Sequence, residues 1–473
     1  MVTAFFVGTE VAKAADVTFS GQIRTRYEVN EQSDFTDTTE ADDFTSTRVR
    51  LNANVNVNDS TSAFIQMQSV RTWGEQLEGT GATTGTATNP AGSGNASATA
   101  SDADASVGVH QAYFTLKNFA TLPVDLQLGR QEVVLDGHRL FGNTGWTQGA
   151  QTHDAIRLTH KHDNMTLLYA WINVNEDGAP GTTGTNVNDR NDMEAHLVYF
   201  QYAGLLGGNL SITYNWLQDG CGLGTSATAC DNKDNDIHTI GFRQAGQLYG
   251  IDYRGEYYHQ FGDATSDGGA WTAGTVGGDI DRDAYMFGIR VGKAFNNVMM
   301  KPGLTVWYDY LSGTSDEDAR DNDYGGFNTL FDTGHKFYGF MDLFLATGAN
   351  GGGQDAATRG LGLQDFAVKA NLSPMNGWIL KADYHWFYTA EGMSNTNVHG
   401  RGQATTDRHD ENKLGNELDV TLINKYNANT NISIGYSNYT SSSAFRTLRF
   451  GGSGTNADDA NWAYVMLDRK SVV

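Results

Sequence analysis

Proline is almost missing, with five in 473 residues, and cysteine is scarcer still, with two. Two cysteines make no structural zinc site of the usual four-ligand kind, and the chain has no Cys-x-x-Cys-His for covalent haem. No apolar run reaches the roughly 18 to 20 residues that a membrane-spanning helix needs, which excludes helical membrane proteins. Basic residues are outnumbered, 32 against 55 acidic, for a net charge of -23. A chain so short of clustered Lys and Arg does not grip phosphate backbones, so nucleic acid is excluded as a partner. Charged residues make up only 18% and aromatics 11%, with 56 glycines; a soluble chain of this length would instead divide into two or three Leu- and Ala-rich domains. Two classes remain, a large soluble β protein and a transmembrane β-barrel, whose alternating strands raise no hydropathy peak.

What the chain does have is period-two alternation from end to end. Val49, Leu51, Ala53, Val55 and Val57 alternate with Arg48, Arg50, Asn52, Asn54 and Asn56, and Asn58 to Thr61 supplies turn chemistry before Ile65 and Met67 resume the pattern. Further hairpins are drawn at 108–133, 154–174, 193–217, 237–261, 283–310, 362–388 and 416–439, with short turns, one of them at Ala245 to Gln247. Long connections rich in Gly, Thr, Asn and Asp separate them, such as 74–106 and 312–360. Short turns at one end and long polar loops at the other are the sidedness of an outer-membrane barrel. With an initial strand at 16–30 and a last one near 462–468, the sum is about eighteen strands, and both termini fall on the periplasmic side. Outward-parity residues such as Leu210, Ile212, Tyr214 and Trp216 are apolar through the middle with rings toward the ends. A soluble propeller or β-helix would show a fixed repeat, and no such repeat is found. The expected fold class is therefore all-β, a transmembrane antiparallel up-and-down barrel.

Residues 1–15 read as the tail of a secretory signal, with Ala4 to Val7 apolar and Ala12-Lys13-Ala14 as a small-x-small cleavage pattern, leaving 16–473 as one barrel domain. Cys221 and Cys230 share one Gly/Ala/Thr-rich segment, which suits a loop-closing disulfide in an oxidising compartment. A barrel of eighteen strands is too wide for wall side chains to fill, so its inward faces set its function. Inward parity gives Arg24, Arg26, Arg48, Arg50, Arg157, Lys161, Arg254 and Arg290 as pore-lining candidates, while Glu417 and Asp419 come late in the chain. One wall is therefore expected to be positive and to attract anions, since Arg binds carboxylates bidentately.

The stretch Phe327-Asn-Thr-Leu-Phe-Asp-Thr-Gly-His-Lys-Phe-Tyr-Gly-Phe-Met-Asp342, with Gly362 to Lys369 and Lys381 to Trp386, resembles the alginate export family of Gram-negative outer-membrane porins. Leu128-Gly-Arg-Gln131 and Gly415 to Asp419 are similar to further family segments. The resemblance implies an eighteen-stranded monomeric barrel in the cell outer membrane, with an Arg-lined constriction that passes an anionic uronate polymer. It adds Arg130 and Asp154 to Arg48, Arg50 and Arg157 as constriction residues; Arg130 has outward parity, so a bulge is required to turn it inward. The partners expected are outer-membrane lipid and lipopolysaccharide around the barrel and an anionic saccharide or small solute within it.

Enzyme chemistry is not indicated. No Gly-x-Ser-x-Gly or His-Glu-x-x-His is present, and His153, His160, His162, His335 and His385 read as hydrogen-bonding wall residues. No cofactor or metal is expected; Asp231 to Asp236 has calcium-like oxygen spacing but lacks the glutamate and glycine of an EF-hand, and reads as a solvated loop. The function expected is passive diffusion through an outer-membrane porin, of solutes such as an anionic oligo- or polysaccharide like alginate. The rivals are a general small-molecule porin and a non-conducting barrel sleeve around a periplasmic redox partner, which internal plugs and a tight partner would mark.

Overall fold

The computed structural model describes residues 16–31, 41–73, 107–175, 193–219, 236–264, 280–321, 323–345, 358, 360–392, 412–450 and 459–472. Residues 1–15, Cys221, Cys230 and all of the Asp231 to Asp236 segment except Asp236 lie outside them.

The alternating segments are strands. The first half of the wall is β1 (Asp16–Asn30), β2 (Asp42–Asn56), β3 (Thr61–Thr72), β4 (Gly108–Leu116), β5 (Asp125–Gln131), β6 (His153–His162), β7 (Met165–Asn175), β8 (Met193–Leu205) and β9 (Gly208–Asp219). The second half is β10 (Ile237–Leu248), β11 (Ile251–Ala264), β12 (Ile280–Ala294), β13 (Gly303–Leu311), β15 (Leu363–Leu372), β16 (Trp378–Tyr388), β17 (Lys413–Asn427), β18 (Thr430–Ser441) and β19 (Ala460–Val472). The two-residue β14 (Asp323–Tyr324) lies parallel to the end of β12 and is not part of the wall, because β13 pairs directly with β15. Sequential wall strands pair antiparallel, and β19 returns to β1, with Arg24 opposite Asp468 and Asn30 opposite Trp462. The result is a closed barrel of eighteen strands. Closure leaves no free strand edge, which is the condition for β structure in hydrocarbon, where an unpaired N–H or C=O has no water to turn to.

One turn differs from the sequence expectation. Ala245 and Gln247 remain in the ladder, opposite Arg254 and Asp252, and the chain reverses at Tyr249-Gly250. Both turn residues are left-handed, φ 51° and 75°. A two-residue turn with both φ positive matches the twist of the strands it joins, and this geometry overrode the Gly-containing triplet upstream.

The faces are inverted relative to a water-soluble protein. On β9 the polar Ser211, Thr213 and Asn215 are buried, with Leu217 beyond them, while Ile212 is exposed; on β12 Ile289 and Val291 are exposed. In a bilayer that is the favourable arrangement. Near the loop ends of β9 to β11 a belt of rings stacks outward, with Trp216 5.6 Å from His238 and His238 5.1 Å from Phe261. The apolar core sits inside the cylinder, where Phe141, Phe327, Phe337, Tyr338 and Phe344 from two inward-folded loops meet Phe387 and Tyr439 of the wall.

Space around the Gly250 Cβ position is open, so a side chain there costs only backbone strain. Gly250→Val is expected to lower the unfolding free energy by about 1 to 2 kcal/mol, read as an earlier urea midpoint in detergent micelles; an unchanged midpoint contradicts the left-handed turn.

Candidate channel constriction

The lumen is occupied by two connections, residues 132–152 between β5 and β6 and residues 325–345 between β14 and β15. Their backbones join directly. Phe331 N–H donates to Leu140 O at 2.9 Å, Gly142 N–H to Phe331 O at 2.8 Å, and Thr333 N–H to His138 O at 3.0 Å. Trp146 of the first loop stacks on His335 of the second, 4.2 Å apart and nearly parallel, and Phe340 stacks on the same imidazole at 5.0 Å. The two segments therefore form one plug.

Arginines from β1 and β2 hold its first loop. Arg24 donates through Nη1 to Gly145 O at 2.7 Å, through Nη2 to Trp146 O and Thr147 O at 2.9 and 2.8 Å, and through Nε to the Gln148 side chain at 2.9 Å. Arg48 donates to Thr147 O at 3.2 Å and to Gln22 at 3.0 Å. Arg26 donates to Trp146 O at 3.0 Å, lies 4.3 Å over the Trp146 ring and pairs with Glu28 at 2.6 Å. Apart from the Arg26–Glu28 pair these bonds are to neutral carbonyl and amide oxygens, so the charge of Arg24 and Arg48 has no direct carboxylate partner among the described residues. Arg50 sits below them, bonded to Gln68 at 2.7 Å and 3.8 Å from Glu132.

The same loop reaches the facing side of the barrel. Asp136 accepts from Ser211 and Tyr199 at 2.7 and 2.9 Å. A Cβ on Gly137 would lie 2.6 Å from Arg254 Nη1, so the loop passes directly beside this guanidinium. Arg139 enters a cluster on β10 to β13 that holds Arg243, Arg254, Arg290, Glu256 and Asp309. Arg254 and Arg290 are opposite each other in the β11–β12 ladder. Arg290 stacks on Trp307 at 3.5 Å, and Lys369 approaches the same ring at 3.9 Å. Acidic character belongs to the sector β15 to β17, with Asp365 bonded to His385 at 2.8 Å, Asp383 to Lys369 at 2.9 Å, and Glu417 accepting the Met341 N–H at 2.8 Å.

The candidates fall into four places. Arg24, Arg26 and Arg48 are inward and nearly fully buried as loop anchors. Arg50, Arg254 and Arg290 are inward and retain some exposure, with side chains 10%, 10% and 15% accessible. Arg157 shares the inward parity of Ala155, and Lys161 lies exposed at the turn end of β6. Arg130 and Asp154 are a correction: they pair with each other at 2.9 Å on the parity of the exposed Ile156, on the outer face. The pairing of β5 runs uninterrupted from Asp125 to Gln131, and the bulge lies instead on β4, where it turns both His110 and Gln111 inward. Arg139 was missed because it lies in a segment without alternation. The available signal was composition, since Leu135, Leu140, Phe141 and Trp146 are too apolar for a solvated loop.

The sequence model for alginate export matches residues 15–449. The chain belongs to the alginate export family. Solved structures with the same fold include OccK11 (OpdR) of Pseudomonas aeruginosa, at 10% identity over 97% of this chain and 96% of that one, TM-score 0.54. OccAB1 of Acinetobacter baumannii is 12% identical over 97% of each chain, TM-score 0.55. OccK2 (OpdF) of Pseudomonas aeruginosa, solved in complex with glucuronate, is 10% identical over 97% and 98%, TM-score 0.50. No curated protein matches the chain. This alginate export family member is an outer-membrane porin-type channel and not an enzyme.

Asp332, in the second loop, has its Oδ2 enclosed without a hydrogen-bond partner among the described residues. Burial pushes its carboxyl up to about 7, against the opposing pull of Arg139 and a hydrogen bond from Thr329. A carboxyl whose folded value is raised stabilises the plug when protonated, and that contribution is lost as pH rises through about 7. Conductance fluctuations are expected to grow as pH rises from about 4 to about 7, between the ordinary carboxyl value and the raised one, and Asp332→Asn to flatten the dependence; a wild type insensitive over this window contradicts the burial.

Proposed function

We propose that this channel passes anionic saccharides of the uronate class across the outer membrane of a Gram-negative bacterium by passive diffusion. The observation that carries this reading is the state of the inward guanidiniums. Arg24 and Arg48 donate to loop carbonyls and to the Gln148 and Gln22 side chains, so neither is ion-paired among the described residues, and their charge adds a positive potential to the lumen that Asp468, opposite Arg24 in the β1–β19 ladder, offsets only in part. Arg50, Arg254 and Arg290 keep accessible surface beside it. A carboxylated sugar meets planar forks that accept it bidentately, and spreading these forks over two sectors keeps each stop weak enough to leave. The acidic sector β15 to β17 gives the lumen a transverse field, which orients a solute with carboxylates along one edge and hydroxyls along the other. The glucuronate bound in OccK2, a channel of the same fold, is consistent with this chemistry.

A second reading draws on the plug itself. A barrel serving as a sleeve for a periplasmic redox partner would also carry internal loops, and it would not conduct.

Planar-bilayer recordings separate the two. A salt gradient is expected to give an anion-selective reversal potential, and mannuronate oligomers to block the current. Arg50→Ala or Arg254→Ala is expected to weaken block about tenfold, the equivalent of one charge-assisted hydrogen bond. Unselective, unblocked conductance contradicts the uronate reading, and absence of conductance selects the sleeve.

A further inference from the structure

Arg139 is 1% exposed, the most enclosed basic side chain in the constriction cluster, and it belongs to the plug, not to the wall. Its Nε and Nη2 donate to Glu256 Oε1 at 3.1 and 3.0 Å, its Nη2 also donates to Asp309 Oδ2 at 2.6 Å, and its Nη1 donates to Tyr338 OH at 2.6 Å. Its plane lies 3.8 Å over the Phe337 ring. A single guanidinium thus holds one oxygen of each carboxylate in the cluster, while Glu256 Oε2 and Asp309 Oδ1 have no hydrogen-bond partner among the described residues.

The wall arginines have only looser contacts with these carboxylates. Arg243 and Arg254 stand 3.9 and 3.8 Å from Glu256, beyond hydrogen-bond reach, Arg243 also lies 3.6 Å from Asp136 of the plug, and Arg290 makes one bond to Asp309 at 3.3 Å. Arg243 Nε, Arg254 Nη2 and Arg290 Nε have no hydrogen-bond partner among the described residues. Aromatic faces orient Arg290, with Trp307 at 3.5 Å and Phe337 at 5.2 Å, so its position does not depend on carboxylate pairing. The geometry makes the alternative clear. Glu256 is directly opposite Arg243 in the β10–β11 ladder and two residues from Arg254, so an unoccupied Glu256 has two guanidiniums within a side-chain rotation. Gly288 lies at the convergence, where a Cβ would sit 2.7 Å from Asp309 Oδ1 and 3.0 Å from Glu256 Oε1. Buried donors without partners are costly, and an anion in the lumen is one group that would satisfy them.

We propose that Arg139 is a specificity-determining positioning residue: by holding one oxygen of Glu256 and one of Asp309 it limits the carboxylate contacts of Arg243, Arg254 and Arg290 and leaves part of each guanidinium open to a passing anion. This role rests on the anion-channel reading above. It also makes selectivity a joint property of plug and wall, because a carboxylate mask carried on a loop is present only when the loop is seated.

The test compares four full-length channels in planar bilayers: wild type, Arg139→Met, Arg139→Lys, and the triple variant Arg139→Met with Glu256→Gln and Asp309→Asn. Block by mannuronate oligomers and reversal potential are read alongside open-channel conductance. In Arg139→Met the freed carboxylates engage the wall arginines, and block is expected to weaken about tenfold or more, with the reversal potential moving toward cations. Arg139→Lys, a point charge without the planar fork, falls between. In the triple variant there is nothing left to mask, so block and reversal potential return close to wild type. A triple variant as weak as Arg139→Met overturns the masking role, because Arg139 then either touches the solute itself or acts only by seating the plug. Raised conductance in the triple variant together with lost block identifies the plug-seating case and overturns the proposal in the same way. Block of Arg139→Met at wild-type strength also overturns it. A wild type that no uronate oligomer blocks overturns the anion reading itself, whereas a blocked wild type with an unrescued triple variant overturns only the role of Arg139.

Discussion

An eighteen-strand cylinder cannot fill its own interior, so its bore is decided by whatever the wall can hold in place. Here the holding is done by guanidiniums bonded to peptide carbonyls. Arg24 alone makes three such bonds to residues 145–147, at 2.7 to 2.9 Å. Because an arginine cannot be neutralised at ordinary pH and a carbonyl carries no formal charge, the same bonds that seat the loop leave a positive field behind. Structure and selectivity in this channel therefore share one cause. Were Arg24 and Arg48 paired with Asp or Glu, the loop would be released and the field cancelled together.

The plug closes the circuit between opposite sides of the barrel. Residues 145–148 lie on β1 and β2, and residues 136–139 of the same loop reach β9 to β13. The second loop locks the first by backbone bonds at Phe331 and Thr333 and by the Trp146–His335–Phe340 stack. Packing of this kind is cooperative, because loosening any anchor exposes Phe141, Phe331 and Phe337 to the aqueous lumen.

The barrel was legible because one constraint acts on every strand. A wall with lipid on one side and water on the other must alternate, so Val49 to Val57 against Arg48 to Asn56 was enough to draw β2 and to place Arg48 and Arg50 inward. The sum of eighteen strands and the family resemblance follow from the same pattern and from the Phe327 to Asp342 stretch. The interior was much less legible. Arg130 carries a family-like Gly-Arg-Gln context, yet its strand has no bulge and the pair with Asp154 faces out. Bulge position is set by hydrogen-bond register between neighbouring strands, which a single sequence does not display. Arg139 was out of reach for a different reason: its partners Glu256 and Asp309 are 117 and 170 residues away, and no local period links them.

The central claim is that arginines on β1 and β2 set the bore by seating the 132–152 loop. Single-channel conductance of the Arg24→Ala, Arg48→Ala double variant, recorded in about 1 M salt where surface charge is screened within about 3 Å, tests it most directly. With lumen electrostatics suppressed, a freed loop should leave a larger and noisier conductance in a barrel that still resists unfolding in detergent; a conductance and noise equal to wild type would contradict the account.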